Sequence, residues 1–207
     1  MTSAHALDAV VLDVGGVLMD WDPRHLFGKV IEDAAEREWF LTEVCGPAWN
    51  RKQDEGRRWA DAVTEATARH PDRAAWIRAY DERWLETVAG LYDDTVAVLQ
   101  QLRSTGLPVY ALTNFSAEKW VVATEAFEAL GEFDGTVVSG VEGVVKPDPC
   151  IYAILLDRFD LTPQRTFFTD DVTANVEAAR GAGLDAEVFT SAEVLRGQLT
   201  DRGVLQP

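Results

Sequence analysis

Four short stretches carry residue types suited to chemistry on a charged substrate: Asp13-Val14-Gly15-Gly16, Thr113-Asn114, Lys146-Pro147 and Thr169-Asp170-Asp171. Each follows an apolar run: Ala9–Leu12, Val109–Leu112, Val144-Val145 and Thr166-Phe167-Phe168. A carboxylate such as Asp13 can attack phosphorus and form an acyl phosphate, which divides one displacement into two easier ones. Carboxylate and phosphate repel each other, so a cation must lie between them. Magnesium suits that role, because it binds one or two carboxylates together with phosphate oxygens and waters. Asp170 and Asp171 add carboxylates, and Lys146 offers a positive charge to phosphoryl oxygens. Thr113 offers a hydroxyl, and the Gly15-Gly16 turn lets backbone N–H groups approach an oxyanion. The carboxylates of Asp13, Asp170 and Asp171 balance one Mg²⁺ plus the Lys146 ammonium, so the set is neutral before substrate arrives.

Each member has a plainer use when taken alone. An Asp at a strand end is usually a turn former or a cap, and Asp170-Asp171 could cap a helix starting near Thr173. Lys146 before Pro147 reads as a solvated loop charge. The signal lies in the ordered combination, because parallel, adjacent strands would bring all four ends to one edge.

The elements around these stretches fit that placement. Strands are expected at 9–12, 108–112, 136–138, 166–169 and 186–189, alternating with helices at 94–104, 117–130, 149–159 and 174–182. Gly106, Gly131 and Gly183 stand where helices should stop. The alternation predicts an α/β fold with a parallel sheet flanked by helices. Between residues 24 and 88 the texture changes to helical spacing over 34–44, 57–70 and 72–88, with no convincing strand. Five of the seven tryptophans fall between Trp39 and Trp84, which predicts a small helical bundle with an aromatic core. The expected organisation is a core of residues 1–20 and 92–207, interrupted by an all-helical insertion at 21–91.

Composition narrows the partners. The formal net charge of −16 over 207 residues repels phosphodiester backbones and anionic lipid, which argues against nucleic-acid and membrane ligands. Cys45 and Cys150 form no disulfide framework and are expected as small buried or half-buried thiols. His5, His25 and His70 show no metal-ligand or triad spacing and are expected on the surface or in packing. The first six residues lack a basic segment leading into an apolar one, so a cytoplasmic protein is expected.

Asp13-Val-Gly-Gly-Val-Leu, Leu112-Thr113-Asn114, Val145-Lys146-Pro147 and Phe168-Thr-Asp170-Asp171-Val-Thr-Ala-Asn175 resemble, in order, the four motifs of the haloacid dehalogenase-like hydrolase superfamily. The helical block resembles its α-helical cap of the first type. The stretches Asp13–Arg24 and Gln53-Asp-Glu-Gly56 are most similar to the branch of bacterial glucose-1-phosphate phosphatases. The resemblance implies a Rossmann-like core, Asp13 as nucleophile, and Thr113 and Lys146 holding the transferring group. It implies Mg²⁺ bound by Asp13, the Gly15 carbonyl, Asp170 and Asp171, with Asn175 bracing the metal loop. Asn114, Gly16 and Arg24 would contact substrate, and Trp21, Arg24 and the segment 49–55 would meet the core and set specificity.

Typical phosphatases of the superfamily carry a second aspartate two residues after the nucleophile, as a proton shuttle; here Gly15 stands there. Such a shuttle contributes typically 10²–10⁴-fold. Asp20 or Asp22 would be the replacement nearest in sequence. The substitution leaves two alternatives beside an Mg²⁺-dependent phosphatase of a small phosphorylated metabolite: a metal-free 2-haloacid dehalogenase, or a phosphate-binding scaffold without turnover. A receiver-type signalling domain would place its acidic pair at the first strand and its lysine last, the reverse of the order here. The oligomer expected is a monomer or a homodimer.

Overall fold

The three central strands of the sheet, four or five residues each, are buried almost throughout, as parallel strands covered on both faces are. The computed structural model describes residues 7–206; residues 1–6, with His5 and the N-terminal stretch discussed above, and Pro207 lie outside the described residues. The strands are β1 (Ala9–Leu12), β2 (Met19–Trp21), β3 (Val88–Leu91), β4 (Val109–Thr113), β5 (Gly135–Val138), β6 (Thr166–Asp170) and β7 (Asp185–Val188). Five of them form a parallel sheet in the order β5-β4-β1-β6-β7. The helices before β3 are α1 (Pro23–Val30), α2 (Ala34–Trp39), α3 (Pro47–Asp54), α4 (Trp59–Arg69) and α5 (Ala74–Glu82). Those after it are α6 (Asp93–Ser104), α7 (Ala117–Ala126), α8 (Ser139–Glu142), α9 (Pro149–Arg158), α10 (Thr173–Gly181) and α11 (Ala192–Asp201).

Successive strand residues point to opposite faces. Val10, Leu12 and Phe167 pack with Val98 and Leu102 of α6 and Leu195 and Leu199 of α11. Val11 and Phe168 pack on the other side with Ile151 and Leu155 of α9 and Val176 of α10. Burying such a side chain contributes about 1.5–3 kcal/mol each. The two layers therefore hold the strands rigidly enough that the strand ends, not the loops, decide where Asp13 and Asp170 stand. The register pairs Leu12 with Thr169, which sets those two ends side by side.

The helical block differs from expectation at its end. Residues 72–88 do not form one helix: a 3-10 turn at Pro71–Arg73 leads into α5, and a second at Trp84–Thr87 leads into β3. β2 and β3 pair antiparallel, with Met19 opposite Leu91, so the chain enters and leaves the block through one hairpin. Inside the block, Trp49 stacks on Tyr80 at 5.5 Å, and Trp59 meets the Tyr80 edge at 5.4 Å. This aromatic core runs on into Ala111, Phe115 and Val138 at the ends of β4 and β5.

Cys45 is buried and Cys150 exposed, both as free thiols, which corrects the expectation for Cys150. His25 lies with Nε2 3.2 Å from Asp20 Oδ1, and His70 packs edge-on against Trp39. Among the described residues no helix is long and apolar enough to cross a membrane.

Candidate active site

β1 ends at Leu12, and the next residue donates its N–H to Thr169 O at 3.0 Å, which carries the sheet register one step into the site. That residue is Asp13, whose Oδ1 accepts the Val14 N–H at 2.7 Å and lies 2.8 Å from Lys146 Nζ. Lys146 Nζ also donates to Asp170 Oδ2 at 2.6 Å and to Leu112 O at 2.8 Å. Lys146 does not stand at a strand end: β5 stops at Val138, and α8 with the left-handed Gly143 turn intervenes. Asn114 brings it back. Its Nδ2 donates to Lys146 O at 3.0 Å, and its Oδ1 accepts the Lys146 N–H at 2.8 Å. Asn114 therefore grips the lysine backbone as well as standing at the mouth.

Asp170 is fully buried and held by two partners besides Lys146: the Asn175 amide reaches both its oxygens at 3.0 Å, and the Val172 N–H donates to Oδ1 at 2.8 Å. Tyr152 fixes Asn175 by donating its hydroxyl to the Asn175 carbonyl at 2.8 Å.

Burial pushes the Asp13 carboxyl up to about 7; Lys146 pulls it down, and the Asp170 charge adds to the rise. Burial also works to lower the Lys146 ammonium, but Asp13 and Asp170 outweigh it and leave its pKa above the ordinary value. Asp171 is raised by burial and by Asp170. One ammonium thus serves two buried carboxylates, with a third beside them.

One carboxylate oxygen from each of Asp13, Asp170 and Asp171 lies within 4.8 Å of the others. An all-oxygen acidic set with one excess negative charge in its buried part suits a hard divalent cation. The Thr113 hydroxyl is buried without a hydrogen-bond partner among the described residues, an orphan that a phosphoryl oxygen would satisfy. Gly16 is needed on two counts. Its φ is +72°, and a Cβ there would stand 2.7 Å from Asp171 Cγ. Its N–H is engaged inside the turn, donating to Met19 O at 3.0 Å, so it is not directed at an oxyanion as expected.

Beside this cluster opens a small pocket lined by Gly15, Trp21, Asn50, Asp54, Trp59, Trp84, Asn114, Phe115, Ser116 and Lys119. Trp21 and the 49–55 segment reach it in part, through Asn50 and Asp54. Arg24 does not. Its exposed guanidinium pairs with Glu38 at 2.9 and 2.5 Å, because α1 and α2 place the two side by side. Asp22 caps α1 by accepting the Arg24 N–H at 2.8 Å, and Asp20 pairs with His25, so neither faces the pocket. Lys119, Ser116 and Trp59 are lining residues that sequence reasoning missed. The Trp59 indole donates to Ser116 Oγ at 2.9 Å, and Lys119 Nζ reaches Asp81 Oδ1 at 2.5 Å across the face of Trp59. No local pattern marks them, since helix α7 presents its first turn only once β4 is in place.

A parallel sheet with acidic side chains at the carboxyl ends of its central strands is an open, doubly wound α/β architecture, in which ligands bind at the topological switch point. The model of the haloacid dehalogenase-like hydrolases matches residues 7–183, and the chain belongs to that family. It is a hydrolase with phosphatase relatives. The sesquiterpene phosphatase astK of Aspergillus oryzae is 26% identical over 178 residues, covering 85% of this chain and 86% of the relative. Three further curated relatives are longer proteins, of which the chain spans less than half. Among solved structures, a family enzyme of Bacteroides thetaiotaomicron in complex with magnesium and inorganic phosphate has a TM-score of 0.67 at 20% identity, over 89% of this chain and 94% of that one. A dehalogenase with an intermediate complex has a TM-score of 0.70 at 20% identity, over 93% and 97%. The fold is common to both structures.

Proposed function

We propose that the chain is a Mg²⁺-dependent phosphatase of a small phosphorylated metabolite, a sugar phosphate or a similar ester, acting through an aspartyl-phosphate on Asp13. The observation that carries the reading is the shared ammonium: Lys146 lies 2.8 Å from Asp13 and 2.6 Å from Asp170, with Asp171 adjoining. A phosphate entering such a site needs more positive charge than one lysine provides. Asp13, Asp170 and Asp171 would hold the ion, with the Gly15 carbonyl as a fourth ligand. When bound, magnesium supplies the charge neutralisation that lets a carboxylate approach a phosphate. Lys146 and the Thr113 hydroxyl bind the phosphoryl oxygens, while Asn114 fixes the lysine and Asn175 fixes Asp170.

The helical block acts as a cap over a core of residues 1–20 and 92–207, and its residues 21–91 choose the leaving group. Trp21, Trp59, Trp84 and Phe115 give the pocket apolar walls that suit the hydrocarbon face of a sugar ring or a comparable body. The unpaired thiols fit a reducing compartment, in keeping with a cytoplasmic location.

The test is phosphate release from a panel of sugar phosphates, nucleotides and acyl phosphates, with and without Mg²⁺, and trapping of labelled phosphoenzyme that Asp13→Asn no longer forms. Full activity in EDTA would remove the metal from the reading. The missing side chain at Gly15 favours a second reading, a 2-haloacid dehalogenase. Halide release from 2-chloropropionate in EDTA would establish it, whereas three adjacent carboxylates disfavour a carboxylate substrate in a metal-free site.

A further inference from the structure

Cleaving a phosphate ester of an ordinary alcohol requires a proton for the departing oxygen, and the buried cluster has none to give. Lys146 is divided between Asp13 and Asp170, and Asp170 is tied to Lys146, Asn175 and Val172. Gly15, two residues after Asp13, brings no side chain, and a Cβ built there would meet nothing within 4 Å. That open space belongs to the pocket, and Asp54 is the one carboxyl among the lining side chains. A leaving group departing from Asp13 past Gly15 enters the enclosure that Asp54 lines.

We propose that Asp54, the last residue of α3, is the proton-transfer carboxyl of this hydrolase, delivered to the site by the helical block. The inference rests on the phosphatase reading above. Its geometry is prepared by neighbours. The Asn50 amide donates to Asp54 Oδ2 at 3.1 Å, and the Ser116 backbone amide next to the start of α7 also favours the ionised carboxyl. Ser116 is itself held by the Trp59 indole. The groups facing Asp54 are Glu55 and Arg51 on its own helix, Lys119 from α7 and Tyr80 from α5. Lys119 is occupied by Asp81. Burial, reinforced by Glu55 and opposed by Arg51, pushes the Asp54 carboxyl up to about 7, where both protonation states are populated at neutral pH.

In the first half-reaction an Asp13 oxygen bonds to phosphorus, the bond from phosphorus to the ester oxygen breaks, and that oxygen takes its electron pair and the Asp54 proton. In the second, Asp54 accepts a proton from the water that bonds to phosphorus. The phosphorus–Asp13 bond breaks, its pair returns to the Asp13 carboxylate, and orthophosphate leaves with Asp54 again protonated.

The experiment compares two esters that differ in their need for a proton, phenyl phosphate and p-nitrophenyl phosphate. Asp54→Asn should lower kcat/KM for phenyl phosphate by about 10²–10⁴-fold and that for p-nitrophenyl phosphate by less than about tenfold. A burst of p-nitrophenol followed by slow turnover should appear, since water activation is impaired while the site stays assembled. Asp54→Glu, which keeps the carboxyl, should recover most of the phenyl phosphate activity. Equal losses for both esters, or none for either, would overturn the assignment while leaving the phosphatase reading intact. If the wild-type enzyme forms no phosphoenzyme and releases phosphate from neither ester, the phosphatase reading itself fails, and this inference with it.

Discussion

Lys146 and Asp13 meet at 2.8 Å with the ammonium wholly enclosed, and the same nitrogen stands 2.6 Å from Asp170. Enclosure makes the trio interdependent. Removing the cation leaves two carboxylates buried without compensation, which typically costs about 3–5 kcal/mol. Lys146→Ala should therefore lower urea-unfolding stability by that order in chelator. Adding Asp13→Asn should recover part of the loss, because one of the two stranded charges is gone. Strictly additive single and double variants would show that the contact carries no coupling.

Asp13→Asn alone should separate activity from stability. With its carboxyl raised to about 7 by burial, folding favours the protonated form, so this side chain opposes folding increasingly as pH rises from its unfolded value towards 7. In EDTA at pH 8 the Asn variant should melt no lower than wild type, while its phosphate release measured in Mg²⁺ falls by at least about 10³-fold. A variant that melts lower at pH 8 than wild type would mean that the carboxylate supports the fold.

The strand ends were legible because their causes are local. The run Ala9–Leu12 is apolar throughout, is buried on both faces and can only be an inner strand, so Asp13 had to emerge at its carboxyl end. β6 brings Asp170 beside it for the same reason. Lys146 was assigned to the same edge, but the path was not legible: a one-turn helix and the Asn114 clamp set its position, and neither has a sequence signature. β2 and β3 escaped because strands of three and four residues, one starting directly after a 3-10 turn, are too short to show alternation. Arg24 shows the opposite failure. Its place where the helical block and the core should meet suggested a substrate contact, yet a bidentate partner on the next helix captured it.

Gly16 should prove the most sensitive position in the metal loop. Alanine there must adopt a left-handed φ, costing about 1–2 kcal/mol, and its methyl would displace the Asp171 carboxylate. Wild type should gain stability with Mg²⁺, by about 2.7 kcal/mol at a hundredfold excess over Kd. Gly16→Ala should lose most of that gain, as should Asp171→Asn, and thermal melts across an Mg²⁺ series would read both. An undiminished Mg²⁺ shift in both variants would place the ion elsewhere.

Asp54 gives a pH signature that can be read without any substrate. Its carboxyl rises from an ordinary 3.8 to about 7 on folding, chiefly through burial. Between those values the unfolded chain has released the proton and the folded chain still holds it, so unfolding free energy falls as pH rises through the window and levels off above it. Asparagine at this position has no proton to hold. The stability difference between Asp54→Asn and wild type, from urea midpoints at pH 4.5, 6 and 8, should therefore shift steadily in favour of the variant. Parallel pH profiles for the two proteins would show that Asp54 titrates normally and reaches solvent freely. A pocket that dries on closure of the helical block over a substrate would raise this carboxyl further, so a non-hydrolysable phosphonate should widen the gap.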